Sequence, residues 1–284
     1  MSYIMCIIFT HFEVHVSPDV GALDKAIADK TVNLVNPYVV RKMPLGEELR
    51  ATFDAKINWF VEQFDQDSTL ERGHSWFSGV STEAHLKMLA GVSSLTKQLD
   101  LDSLSDVPKG PRRDKFSQVL LGLGCFACKP DSWYVGPERN DVAAVRLALQ
   151  GERRVAVMCF TNLLDWYIER QGAEASQTWE AIRQWLQGLS MDEVVAKNQA
   201  AVDAGQPSIM TLFTLTVGDL TYIPIGWIMA ETSLNNTKPV GLRCPAFHAH
   251  ADAIKAAEAL AGSYPEPMRE TLNFAIDAMK ARVA

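Results

Sequence analysis

The segment from Val217 to Trp227, which reads VGDLTYIPIGW, constrains the fold of this chain more than any other part of the sequence. Gly218 and Asp219 favour a tight turn, and the residues after them favour a strand whose side chains alternate between two faces. Pro224 has no backbone N–H to donate, and proline and glycine within strands are typical of edges and barrel corners. The segment therefore predicts a strand, a sharp bend and a second strand.

Other short β-prone runs lie on both sides of this segment. Val142–Leu149 and Arg153–Phe160 are joined by Gln150-Gly151-Glu152, a spacing that predicts a β-hairpin. Residues 161–205 then form a predicted helical insertion, and β-prone runs return at 210–217, 220–224, 227–233 and 240–247. Short antiparallel strands with a helical insertion predict a barrel or a sandwich.

The rest of the chain favours helices. Helices are predicted at 47–64, 82–95 and 113–126, the last of which breaks at Gly122 and Gly124, and near the end of the chain at 249–261 and 266–283. We therefore predict an α+β fold in three parts: a mostly helical region (1–130) packed on a barrel (131–247), and C-terminal helices (248–284).

The 217–227 segment closely resembles the Gly-Asp-(apolar)-x-Tyr-Ile-Pro-x-Gly-Trp motif of jumonji-C (JmjC) and related cupin-like proteins. A second segment, Val145 to Val155 (VRLALQGERRV), resembles the strand-turn-strand of the same family, in which an apolar strand meets a glycine and a basic pair. The two matches together cover roughly residues 130 to 247, under half of the chain. The resemblance implies a cupin-type double-stranded β-helix in the C-terminal half, flanked by N-terminal and C-terminal helices.

Active members of this family bind iron(II) through a His-x-Asp/Glu pair and a distant His, and leave positions open for 2-oxoglutarate and oxygen. The place of the distant His, two residues after the Gly-Trp, holds Met229, whose thioether is a poor replacement for imidazole on iron(II). Counting back from Gly151 places Glu138 and Asn140 at the His-x-Asp positions, and no histidine occurs from 86 to 247. The resemblance therefore implies a degenerate metal site.

Arg153 falls where some members carry a lysine that binds the far carboxylate of 2-oxoglutarate. An arginine there can hold an anion through a bidentate contact, and the alternative interpretation is a surface arginine on a strand. The candidate binding residues, all at degenerate family positions, are Glu138, Asn140, Arg153, Tyr222, Trp227 and Met229.

Two further groups contain residue types that bind metals. Cys125 and Cys128 form a single CxxC, whereas a zinc site needs two more ligands, so we interpret them as unrelated or buried thiols. His248 and His250 lie just past the last predicted strand and have no evident third ligand. We interpret them as an exposed pair at the start of a helix.

Charge and cysteine usage narrow the partners and the compartment. The chain has 284 residues, with 34 acidic and 27 basic side chains and a formal net charge of -7. This balance argues against nucleic acid as the main partner, because nucleic-acid binding needs a basic face. The five cysteines form no disulfide framework, and no signal peptide or membrane span is evident, so we predict a cytoplasmic protein, with the nucleus as the alternative.

The expected function is a non-catalytic binding or scaffold protein, a pseudoenzyme without a cofactor, that uses the barrel mouth to bind an unknown small molecule or protein segment. One alternative is an iron(II)/2-oxoglutarate-dependent oxygenase, a hydroxylase or demethylase, with atypical ligands. Another is a structural subunit that forms a homodimer through its C-terminal helices. The homodimer depends on an apolar stripe formed by Met268, Leu272, Ala275, Ile276 and Met279.

Overall fold

The computed structural model describes residues 15–17, 21–22, 25–26, 29, 36–42, 74–79, 122–127, 133–135, 143–205, 210–234, 239–246, 251–262 and 264–283. These residues mix helices with antiparallel sheets, which agrees with the predicted α+β class. The strands, in chain order, are β1 (His15–Ser17), β2 (Tyr38–Val40), β3 (His74–Gly79), β4 (Gly122–Ala127), β5 (Trp133–Val135), β6 (Ala143–Gln150), β7 (Arg153–Cys159), β8 (Thr211–Leu215), β9 (Leu220–Ile223), β10 (Trp227–Ser233) and β11 (Val240–Ala246).

The strands form two sheets. The larger has the order β1-β2-β9-β6-β11-β4-β3, and the smaller has the order β5-β10-β7-β8. Every neighbouring pair is antiparallel except β1 and β2, which run parallel. Side chains from β6, β7, β9 and β10 are almost all buried, so these strands form the centre of the molecule.

Three helices separate β7 from β8, as the predicted insertion requires: α1 (Phe160–Gln171), α2 (Trp179–Gly188) and α3 (Met191–Asp203). Their starts follow from the sequence, because Ser190 and Glu193 form a reciprocal capping box at α3 and Thr178 caps α2. Two more helices, α4 (Ala251–Ala261) and α5 (Glu266–Val283), end the chain. Among the described residues, no helix combines the length and apolar character that a membrane span requires.

The predicted hairpin between β6 and β7 is wrong in its pairing, although its turn is correct. Gly151 has a positive φ of 70°, which suits glycine, and reverses the chain. However, β6 pairs with β9 and β11, while β7 pairs with β8 and β10 in the other sheet. A turn sequence fixes only the reversal of the chain. Burial of both faces of each strand requires two stacked sheets, and this decides the pairing.

The N-terminal part of the chain also differs from the prediction. The sequence predicts a helix over 113–126 that breaks at Gly122 and Gly124, but residues 122–127 form the strand β4, which pairs with both β3 and β11. The two glycines of β4 weaken a helix, and the pairing with two neighbours stabilises the strand instead. The four strands that precede residue 131, β1 to β4, all belong to the larger sheet, together with β6, β9 and β11. The predicted helices at 47–64 and 82–95 lie outside the described residues.

The turn before β9 has the predicted position. Gly218 has a φ of 90°, and its N–H donates to the carbonyl of Ala148 at 2.8 Å. The buried Asp219 accepts hydrogen bonds from the backbone and hydroxyl of Thr216 at 2.9 and 3.2 Å. Arg41 Nη1 lies 2.5 Å from the same Asp219 oxygen, Oδ2, so the chain after β2 is tied to this turn.

The bend between β9 and β10 allows a helix to approach the sheet closely. Gly226 has a φ of 78°, and its carbonyl accepts from the N–H of Phe160 at 2.9 Å. A Cβ at this position would overlap the Cδ1 of Leu260 in α4. Glycine is therefore required both by the backbone conformation and by the packing of α4.

The apolar stripe of α5 is largely covered by the chain itself. Leu272, Ala275, Ile276 and Met279 are all buried in the single chain, where α5 packs against α4. The side chain of Met268 lies outside the described residues. The buried positions give no support to the predicted homodimer, which stays a prediction.

Candidate functional site

Three charged side chains meet in the interior between the two sheets. Arg146 Nη1 of β6 lies 2.6 Å from Glu231 Oε1 of β10, and Arg153 Nη1 of β7 lies 2.9 Å from Glu231 Oε2. Arg153 Nη2 also donates to the carbonyl of Val240 at 2.8 Å. The three residues are 4%, 1% and 0% exposed. We refer to them as the interior triad.

The alternation of the strands brings the triad together. Glu231 and Ser233 are two residues apart in β10 and therefore share a face, and Ser233 lies opposite Arg153 in the register of β7. Arg146 lies in β6 of the larger sheet, where its register partner in β9 is Thr221. Its guanidinium crosses the interior and contacts Glu231 of the smaller sheet. The triad therefore connects the larger sheet to the smaller one.

The geometry of the triad uses both oxygens of one carboxylate. Moving each charged group out of water costs on the order of several kcal/mol of free energy. This cost is offset only where the buried charges are paired and hydrogen-bonded. Glu231 meets this condition with one guanidinium per oxygen, and Arg153 has a backbone acceptor as well. The arrangement is chemically an occupied carboxylate-binding site, and its carboxylate belongs to the chain.

Arg153 is therefore not a surface residue, and that alternative interpretation is wrong. Arg153 contacts an internal anion, the carboxylate of Glu231, and its predicted binding of a ligand anion stays a prediction. The sequence interpretation missed Arg146 and Glu231. A signal was present, because each is a charged residue within an otherwise apolar or uncharged strand, AAVRLALQ and WIMAETS. Charged residues in such runs are buried only when paired.

Met229 and Trp227 lie on the same strand as Glu231, spaced by two residues, so they share its face. Both are 2% exposed, and their register partners in β7 are Val157 and Cys159. Burial is the main cause that raises the pKa of the Cys159 thiol, which keeps it protonated at neutral pH. The predicted place of the distant His is thus part of an apolar layer that continues from the triad.

Tyr222 lies on the opposite face of the larger sheet. It is adjacent to Thr221 in β9, so its side chain points away from the triad. Its ring stacks on Tyr38 of β2, with centroids 5.9 Å apart and an interplanar angle of 18°. Burial, and then the neighbouring Tyr38, raise the pKa of the Tyr222 phenol, so it stays neutral. Tyr222 therefore does not join Arg153, Trp227 and Met229.

The remaining predicted site residues have no described position. Glu138 and Asn140 lie outside the described residues, as do Cys128, His248 and His250. Cys125 lies in β4 and pairs with Trp76 and Leu242 through the backbone. Within the part of the chain that the structure describes, no three side chains of His, Cys, Asp or Glu are grouped closely enough to share a metal ion.

No protein-family model matches the chain, and no curated protein matches it either.

Proposed function

We propose that the chain is a non-catalytic binding or scaffold protein, built on a cupin-type double-stranded β-helix whose iron site is degenerate. The observation that carries the proposal is the position of Met229. This residue stands at the place of the family's distant His, and its side chain is buried in an apolar layer beside the interior triad.

The strand order supports the cupin-type barrel. From β4 to β11 the larger sheet has the order β9-β6-β11-β4, and the smaller sheet has the corresponding order β8-β7-β10-β5. The consecutive strands β6 and β7 pair with β11 and β10, one pair in each sheet, so a two-stranded ribbon crosses from sheet to sheet. Eight strands wound in this way form the double-sheet jelly roll that cupins share.

The chemistry of the available side chains supports a degenerate metal site. The six histidines of the chain are at positions 11, 15, 74, 85, 248 and 250, all outside the interval from 86 to 247, which contains the predicted barrel of 131–247. Glu138 and Asn140 offer only oxygen atoms, which do not reproduce the two-imidazole face that iron(II) oxygenases use. The carboxylate of Glu231 is engaged by two guanidiniums, which lowers its value as a metal ligand.

Metal analysis of the purified full-length chain tests the proposal. We expect no stoichiometric iron after reconstitution with iron(II), and no succinate release from 2-oxoglutarate with iron(II) and ascorbate present. Met229→His is the matched variant, and we expect it to remain inactive because the first ligand pair is also absent. Succinate release by the unmodified chain, abolished by a chelator, would instead favour an oxygenase with atypical ligands.

A further inference from the structure

The contacts of Glu231 resemble those that arginines make with a free carboxylate ligand. Its oxygens are separated between two guanidiniums, with Oε1 bound by Arg146 and Oε2 by Arg153. Charge-assisted bonds of this kind are the common means by which arginine recognises carboxylates. Because Glu231 lies in the middle of β10, its backbone is fixed by pairing with β7 on one side and β5 on the other.

Two buried hydroxyl groups lie beside the triad. Thr221 is the register partner of Arg146, and Ser233 is the register partner of Arg153, so both share the interior face. Within the part of the chain that the structure describes, neither Thr221 Oγ1 nor Ser233 Oγ has a hydrogen-bond partner, although both residues are buried. Buried polar groups are normally satisfied, so these hydroxyls are donors available to a small polar group at this place.

We infer that Arg146 and Arg153 form an anion site that Glu231 fills from within the chain, and that Glu231 excludes small free carboxylates from the interior of the sandwich. Thr221 and Ser233 share this interior face, and their hydroxyls, which do not bond the Glu231 carboxylate, contact a free carboxylate only where it binds in a different orientation. The inference goes beyond the proposed function, because it depends on the triad alone and holds whether or not the chain binds iron.

Acetate is the probe that this geometry selects. A Glu231→Ala substitution removes the side chain beyond Cβ, which consists of a methylene carbon, a carboxyl carbon and two oxygens. Acetate has the same set of heavy atoms and the same charge. It therefore replaces what the substitution deletes, and with so few atoms it is expected to bind with a Kd of about 1–30 mM.

The experiment compares thermal unfolding of full-length chains in sodium acetate and in sodium chloride at equal ionic strength and pH 7.5. We expect Glu231→Ala to lower the Tm by about 10 °C, because it leaves two buried guanidiniums without their carboxylate. Acetate should raise the Tm of this variant in a saturable manner, whereas chloride should not. The Tm of the unmodified chain should be the same in both salts.

Three variants serve as controls. Glu180→Ala removes an exposed carboxylate from its pair with Arg183, so it should show no response to acetate. Glu231→Gln keeps the space filled and should also be insensitive to acetate. Adding Arg146→Met to Glu231→Ala removes one of the two guanidiniums, and should weaken the response to acetate at least about tenfold.

The inference is overturned if Glu231→Ala responds equally to acetate and chloride, or if the unmodified chain gains as much from acetate as the variant does. It is also overturned if the Glu231→Ala variant is unfolded in chloride and does not fold when it is diluted from denaturant into acetate. Recovery of folded protein in acetate alone would support it as strongly as a shift in Tm. Neither result depends on iron content or succinate release, so a failure here is distinguishable from a failure of the proposed function.

Discussion

Two buried carboxylates each join segments that are distant in the sequence. Glu231 in β10 binds Arg146 and Arg153, and Asp219 in the turn before β9 binds Arg41. A buried carboxylate is stable only where its oxygens are hydrogen-bonded, so each of the two holds its partners in place. Arg41 is partly exposed, whereas the partners of Glu231 are buried. Removing the charge of Asp219 should therefore cost less stability than removing that of Glu231.

Replacing Asp219 by asparagine should destabilise the chain by about 1.5–3 kcal/mol, because the change removes the charge and half of the acceptor capacity. The lost contacts are those with Arg41 and with the backbone and hydroxyl of Thr216. Urea denaturation followed by tryptophan fluorescence measures the change. Asp203→Asn, at an exposed position at the end of α3, should change stability by less than about 0.5 kcal/mol. Equal effects of the two substitutions would contradict this account.

At the scale of the residue, the sequence predicted the turn at Gly218 and Asp219 but not the interior triad. A turn depends on local conformational preferences, which a short sequence carries. The triad depends on which strands become neighbours, and its members lie 7 and 78 positions from Arg153 along the chain. Tyr222 was predicted as a site residue because of a motif, whereas its face of the strand is set by the pairing of β9 with β6.

At the scale of the element, the close contact between Gly226 and α4 restricts which residue can follow β9 at the bend. The backbone has a positive φ there, and Leu260 of α4 is fully buried against the same residue. A side chain at this position would strain the backbone and would displace the buried side chain of Leu260 in α4.

Gly226→Ala should destabilise the chain by about 2–5 kcal/mol, the sum of backbone strain and overpacking. Gly205→Ala is the matched control, since Gly205 also has a positive φ, of 68°, but nothing lies within 4 Å of a Cβ placed there. The control should therefore lose only the strain component, about 1–2 kcal/mol. Chemical denaturation measures both. If the two variants lose the same stability, the packing of α4 contributes nothing at Gly226.

Periodicity and capping predicted the positions of the helices better than they predicted the pairing of the strands. The helices α4 and α5 agree with the predicted bounds of 249–261 and 266–283 to within a few residues, and α2 and α3 lie within the predicted helical insertion of 161–205, because caps and helical spacing are local signals. The sequence predicts a helix over 113–126 that breaks at Gly122 and Gly124, whereas the structure has the strand β4 at 122–127. The two differ because the glycines and apolar residues of β4 have no period that separates the two classes. Its pairing with β3 and β11 is not visible in its own sequence.

At the scale of the molecule, the first part of the chain completes the sheet that the later part begins. β2 pairs with β9, and β4 pairs with β11, so strands from before residue 131 lie on both sides of the pair β6 and β11. Without them, β9 and β11 would become edges with unpaired backbone groups, and such edges favour aggregation.

A fragment of residues 131–284 should therefore fail to fold on its own, although it contains the whole predicted barrel. We expect it to elute as aggregates in size-exclusion chromatography and to show no cooperative thermal transition by circular dichroism. The full chain, carried through the same purification, is the control and should give a single cooperative transition. A fragment that unfolds cooperatively near the Tm of the full chain would show that the first four strands are dispensable.

The pairing of β4 with β11 can form only late in synthesis. The paired residues are separated by more than one hundred positions, and at about 5–20 residues per second the ribosome needs about 6–23 s to cover that distance. Throughout this interval β4 has been synthesised, whereas β11, the strand that lies between β4 and β6, has not. For about two fifths of its synthesis the nascent chain therefore contains β4 without this partner, and we expect this unpaired strand edge to be where chaperones bind or aggregation begins.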